Sequence, residues 1–100
     1  MKFGLTDKER SFLEISLFTP LKSIGAKVWI FGSRARGDHK KFSDIDILFQ
    51  IDKKKLPNGF LSRLKENLEN SNFSYKVDLV DFDEIAKNYR ENILKDMQEV

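Results

Sequence analysis

Asp44 and Asp46 stand two residues apart in a run where Ile45, Ile47, Phe49 and Ile51 alternate with Asp44, Asp46, Leu48 and Gln50. Period two is the signature of a strand, so both carboxylates leave the same face. Strand rise sets them ~7 Å apart, where they repel unless a cation lies between them. Hard oxygen donors of this kind suit Mg²⁺, which takes one or two carboxylates and completes its shell with water and phosphate oxygens. On its own, an Asp-x-Asp reads first as a loop cap followed by a solvated carboxylate. Its company argues for chemistry.

Gly32 and Ser33 follow directly on Lys27-Val28-Trp29-Ile30-Phe31, a short β-branched and aromatic segment. They open a polar stretch with room for one helical turn, where free backbone N–H groups favour a phosphate. Glycine lets the backbone approach, and the Ser33 hydroxyl can bond a phosphate oxygen. Arg34, Arg36 and Gly37 add positive charge to the same loop. A third carboxylate, Asp78, interrupts the apolar strand Tyr75-Lys76-Val77-Asp78-Leu79-Val80. Asp81 competes for that role, but its place three residues before Glu84 gives it a capping explanation that Asp78 lacks. If the strands of Asp46 and Asp78 pair, three carboxylates share one face and can hold two metals. One ion would orient an attacking hydroxyl and the other would neutralise a triphosphate and its leaving pyrophosphate.

The elements that must position these residues follow from spacing and punctuation. Thr6 with Glu9 has the form of a capping box, and Phe12, Ile15, Phe18 and Leu21 recur behind it at helical spacing. Pro20 is expected to end or kink this helix, and Gly25 suits a left-handed stop. The segment at 27–31 has apolar residues on both faces, which predicts a central strand covered from both sides. A loop at 32–43 leads to the strand of Asp44 and Asp46. Lys53-Lys54-Lys55-Leu56-Pro57-Asn58-Gly59 reads as a solubilising turn before a helix marked by Phe60, Leu61, Leu64 and Leu68. Asp81 with Glu84 predicts the cap of a last helix carrying Ile85, Tyr89, Ile93 and Met97 on one side. Trp29 and the phenylalanines are expected in the core, and His39 exposed and idle in its polar loop. Alternating strands and helices predict an α/β (α+β) fold, residues 1–100 forming a single domain without repeat or linker.

Composition bounds the rest. One hundred residues leave no room for a second, substrate-binding domain. With 18 Lys+Arg against 16 Asp+Glu, the net charge of +2 is too small to coat nucleic acid by phosphate neutralisation alone, so no direct nucleic-acid binding is expected. Any recognition of anions must be local. No apolar run approaches the ~20 residues that span a bilayer, so no membrane partner is expected either. The absence of cysteine removes disulfides, thiolate metal sites and thiol nucleophiles. A cytoplasmic setting is expected.

Gly32-Ser33, the ten residues that follow, Asp44-Ile45-Asp46 and a later Asp78 resemble the nucleotidyltransferase superfamily with the DNA polymerase beta type fold. Phe31-Gly32-Ser33-Arg34-Ala35-Arg36-Gly37 with Ser43-Asp44-Ile45-Asp46 is similar to the minimal nucleotidyltransferases encoded beside HEPN-domain partners in prokaryotes. The resemblance implies a small mixed sheet with helices on one side and a catalytic carboxylate face on the other. It implies transfer of AMP from ATP with two Mg²⁺ ions, the acceptor in toxin–antitoxin members being a tyrosine of the HEPN toxin. On that resemblance Gly32, Ser33 and Arg36 bind the nucleotide, and Asp44, Asp46 and Asp78 bind metal, Asp78 also helping to activate the acceptor hydroxyl. Two alternatives are a binding module that neutralises its partner by complex formation, and the nucleotide-binding subunit of a two-protein small-molecule nucleotidyltransferase.

Overall fold

Thr6 opens the first helix through a reciprocal capping box, its Oγ1 accepting from the Glu9 amide at 3.1 Å while Glu9 Oε1 accepts from the Thr6 amide at 2.8 Å. In the computed structural model, which describes residues 2–100, the helical run passes from α1 (Asp7–Leu13) through a π-turn (Glu14–Phe18) into α2 (Thr19–Ser23). Pro20 therefore does not end the run. Its ring crowds the carbonyl four residues back, and the ladder widens just upstream, where the Thr19 amide donates to the Glu14 carbonyl. The buried stripe is Leu13, Leu17, Phe18 and Leu21, whereas Ile15, expected among the buried positions, is 75% exposed. Two stripes overlap in this sequence, and packing selected the one spaced by four. Gly25, at φ 90°, ends the run, its amide donating to Lys22 at 3.0 Å and that of Ala26 to Leu21 at 3.1 Å. This is a Schellman stop.

Strands β1 (Lys27–Phe31), β2 (Ile45–Gln50), β3 (Val77–Asp81) and β4 (Gln98–Glu99) form one mixed sheet in the order β3-β2-β1-β4. β1 runs antiparallel to β2 and β4, and β2 runs parallel to β3. The parallel pair needs a crossover, supplied by α4 (Phe60–Glu69). Val28, Ile30, Ile45, Ile47, Phe49 and Ile51 pack with Leu13, Leu17 and Leu21 and with Leu64 of α4. The main core thus lies on one side of the sheet, with these helices.

The other face is only partly covered, so β1 is not buried on both sides as its composition suggested. Val28 and Ile30 are buried, while Trp29 and Phe31 between them are intermediate. Trp29 belongs to this second face, its ring 6.2 Å from that of Phe82, and Leu48, in register with Trp29, is fully buried there outside the main cluster.

The chain end also departs from expectation. Asp81 caps a single 3-10 turn (Phe82–Glu84) by accepting from the Asp83 amide at 3.0 Å, and the last helix, α5 (Lys87–Asp96), begins only after it. Ile85 precedes α5 and Met97 follows it, and Tyr89 is 62% exposed, so the four do not make one apolar stripe. No side chain of α5 is fully buried. β4, unsignalled by its polar residues, then pairs with β1. Among the described residues no helix is long and apolar enough to cross a membrane.

Candidate functional site

The parallel register of β2 and β3 makes Asp46 and Asp78 partners on one rung. On the opposite flank Asp46 pairs with Phe31, the residue before Gly32, so the end of β1 delivers the glycine turn to the same carboxylate. Asp44 lies just ahead of β2 and is exposed, Asp46 is half-buried and Asp78 is exposed. The Asp46 carboxyl is held above the usual carboxylate range, first by burial and then by the negative charges of Asp78 and Asp44, with Arg36 acting the other way. Asp44 and Asp78 thus both lie close enough for their charges to act on Asp46.

Gly32 meets two constraints. Its φ of 75° and ψ of −154° fall where glycine alone is at ease, and a Cβ there would collide with the Asp46 carboxylate oxygen. Ser33 starts α3 (Ser33–Arg36), the helical turn the sequence allowed, and Gly37 at φ 87° closes it, donating to the Ser33 carbonyl at 2.9 Å. The first amides of such a turn have no partner within it. Arg36 lies on the surface, donating to Asp38 at 3.1 Å and to Asp96 at 3.0 Å. It thereby ties α3 to the end of α5.

Asp81 stands elsewhere. Three residues beyond Asp78, it leaves the opposite face of β3, pairs with Lys53 and is nearly buried. Lys53 is thus engaged in an ion pair rather than merely solubilising a turn. His39 is half-buried against Gly4, not exposed, with its Nδ1 enclosed and unpartnered. Arg34, counted in the sequence among the charges of the phosphate loop, turns away from it into the protein and is 2% exposed. No local signal distinguishes its inward course from the outward course of Arg36.

Among the described residues no three His, Cys, Asp or Glu side chains close around a single point as a metal cage. The donor set nevertheless fits a hard divalent cation, since it consists of carboxylate oxygens, and the repulsion of Asp78 and Asp44 adds to burial in raising the proton affinity of Asp46. A cation would relieve that repulsion as a proton does. Beyond Asp78, at the free edge of β3, a cleft of about 470 Å³ is lined by Lys65, Ser71, Tyr75, Lys76 and Asp78, among others. Of the three predicted carboxylates only Asp78 lines it.

Residues 16–100 match the family described as Polymerase beta, Nucleotidyltransferase. A curated relative, the "Probable protein adenylyltransferase MntA" of Haemophilus influenzae, is 40% identical over 70 residues, covering 68% of this chain and 59% of its own. The chain therefore spans less than two thirds of that relative's length. A solved structure described as a "putative minimal nucleotidyltransferase" superposes over 100% of this chain and 97% of its own, with a TM-score of 0.71 and 29% identity. A solved toxin–antitoxin with AMP-PNP shares the fold over 86% of this chain and 70% of its own, with a TM-score of 0.63 and 24% identity.

Proposed function

We propose, starting from a chain that belongs to the Polymerase beta, Nucleotidyltransferase family, that it transfers AMP from ATP to a hydroxyl group in a Mg²⁺-dependent reaction. The acceptor is a tyrosine of a HEPN-domain toxin encoded nearby, with which this chain forms an antitoxin complex in the cytoplasm. The observation that carries the reading is the Asp46–Asp78 rung with Gly32 against it, on a sheet face left free of the main helix layer. The protein adenylyltransferase activity in the name of the Haemophilus relative and the toxin–antitoxin setting of a protein of like fold support the choice of acceptor.

In this reading the backbone at Gly32 and the Ser33 hydroxyl hold the triphosphate, and Arg36 adds positive charge beside it. Asp44, Asp46 and Asp78 hold two Mg²⁺ ions, which when bound supply charge neutralisation on the triphosphate and polarisation of the acceptor oxygen. Asp78, at the open edge, meets the acceptor. Its carboxylate takes the hydroxyl proton while the acceptor oxygen bonds to the α-phosphorus and the bond from that phosphorus to pyrophosphate breaks. The raised proton affinity of Asp46 fits a carboxylate whose negative charge is costly until cations share it.

Intact-protein mass spectrometry of the neighbouring gene product, after incubation with this chain, Mg²⁺ and ATP, tests the proposal. The expected result is a gain of one or more AMP units that disappears when Asp44→Asn and Asp46→Asn are combined. Full transfer by that variant overturns the site. No gain on the neighbour, with a stable complex of the two proteins, replaces transfer by neutralisation through binding, and AMP found on a small molecule instead replaces the protein acceptor.

A further inference from the structure

Arg34 is the one charged side chain buried among the described residues. Its Nε and Nη2 donate to the Ser43 carbonyl at 3.1 and 3.0 Å, and its Nη1 donates to the Phe3 carbonyl at 2.9 Å, with the Gly4 carbonyl at 3.3 Å. The guanidinium carbon lies 4.5 Å from the centre of the Tyr75 ring. Every one of these partners is neutral. A buried guanidinium held by carbonyl dipoles and an aromatic face gains geometric definition rather than an ion pair, since its planar fork fixes several partners at once.

What it fixes is the entrance to the parallel ladder. Ser43 lies two residues before Ile45 and Tyr75 two residues before Val77, and Ile45 and Val77 form the first rung of β2 on β3. The Ile45 amide donates to the Lys76 carbonyl at 2.9 Å between these held residues and that rung. Asp46 and Asp78 make the next rung. A slip of one residue in this register would turn the Asp78 side chain to the other face of the sheet. Arg34 also belongs to α3, directly after Gly32 and Ser33, so the side chain that grips both strand entrances is anchored in the glycine turn itself. The N-terminal turn completes the grip. Phe3 sits at φ 59°, a left-handed conformation uncommon outside glycine, with its carbonyl on Arg34.

We infer that Arg34 is the positioning residue of the site, pinning the β2–β3 register so that Asp46 and Asp78 stand on one rung beside Gly32. It acts through Ser43 and Tyr75 and touches no reacting atom. The inference rests on the role proposed above for the carboxylates. Its geometric part can be read without any transfer assay.

Hydrogen exchange on the intact chain is the test, with Arg34→Lys keeping the charge but not the fork, and with Tyr75→Leu and Tyr75→Phe leaving Arg34 in place. Arg34→Lys should speed exchange about tenfold or more at 43–46 and 75–79 while the slow amides of β1 and α4 change little. Tyr75→Leu should do the same more weakly, and Tyr75→Phe, which keeps the ring face, should match wild type. In the transfer reaction Arg34→Lys should lower kcat about 10- to 100-fold with a much smaller change in KM for ATP. Exchange raised equally in β1 and α4, or unchanged at 43–46 and 75–79, overturns the positioning role. So does normal kcat in Arg34→Lys. If wild type transfers nothing, the proposed activity falls, and the exchange pattern still decides whether Arg34 pins the rung.

Discussion

Gly32 carries two separate demands on one Cα, a backbone conformation open only to glycine and a side-chain-free approach to Asp46. Gly32→Ala should cost about 1–3 kcal/mol, seen as a lower urea midpoint, because left-handed strain of this kind persists only where the fold enforces it. It should lower transfer by a larger factor than the loss of folded protein explains, since the new methyl displaces the Asp46 carboxylate. Asp46 itself is a cost to the free fold. Burial and two like charges raise its proton affinity in the native state, so the native chain binds this proton more tightly than the unfolded chain. Stability from this group is therefore gained as pH falls through the native pKa toward the unfolded one, and lost as pH rises. In EDTA, Asp46→Asn should melt above wild type near neutral pH, the gap closing as pH drops into the ordinary carboxylate range of about 4. Melting curves along that series check the sign. A gap that widens on acidification would mean that Asp46 is stabilised by a positive partner instead.

At the scale of elements, local chemistry and packing divide the work. The capping box at Thr6 is local, needing only Glu9 and two amides, and it was legible from two residue types three apart. Thr6→Ala should cost about 1 kcal/mol, within the usual 0.5–2 range for caps, and leave the transfer rate of the folded protein unchanged. Urea unfolding and an assay on the same sample check both halves. The choice of buried stripe in the same helical run belongs to packing. The spacing of Phe12, Ile15, Phe18 and Leu21 suggested one stripe, and against the sheet Leu13, Leu17, Phe18 and Leu21 were buried instead. β4 is further from local reach, since Gln98 and Glu99 have no strand character and pair only because β1 offers them an edge.

The whole molecule measures 37 × 34 × 18 Å, a slab in which the main core lies between the sheet and one layer of helices. Leu17 stands in that core with no exposed surface. Leu17→Ala should remove about 2–5 kcal/mol, a large part of the 5–15 kcal/mol typical of a domain, through a buried cavity. Circular dichroism and tryptophan fluorescence, the latter from Trp29 on the opposite face, should report one shared transition at lower urea. Separate transitions would mean that the carboxylate face holds its structure independently. A one-sided core also leaves Asp44 and Asp78 exposed, open to the nucleotide and acceptor proposed above.

By itself the sequence determined the local parts of the structure: the glycine turn after β1, the period-two strand that carries Asp46, the short helical turn at Ser33 and the capping box at Thr6. Each depends on residues within a few positions of one another, so residue type and period suffice to state it. Only the tertiary structure decided which of Asp78 and Asp81 stands beside Asp46, that Trp29 lies on the open face, and that Arg34 turns inward while Arg36 stays out. Those outcomes depend on the register between strands about thirty residues apart and on which faces the helices cover. A period of two reports that a residue alternates, but not which strand will lie beside it.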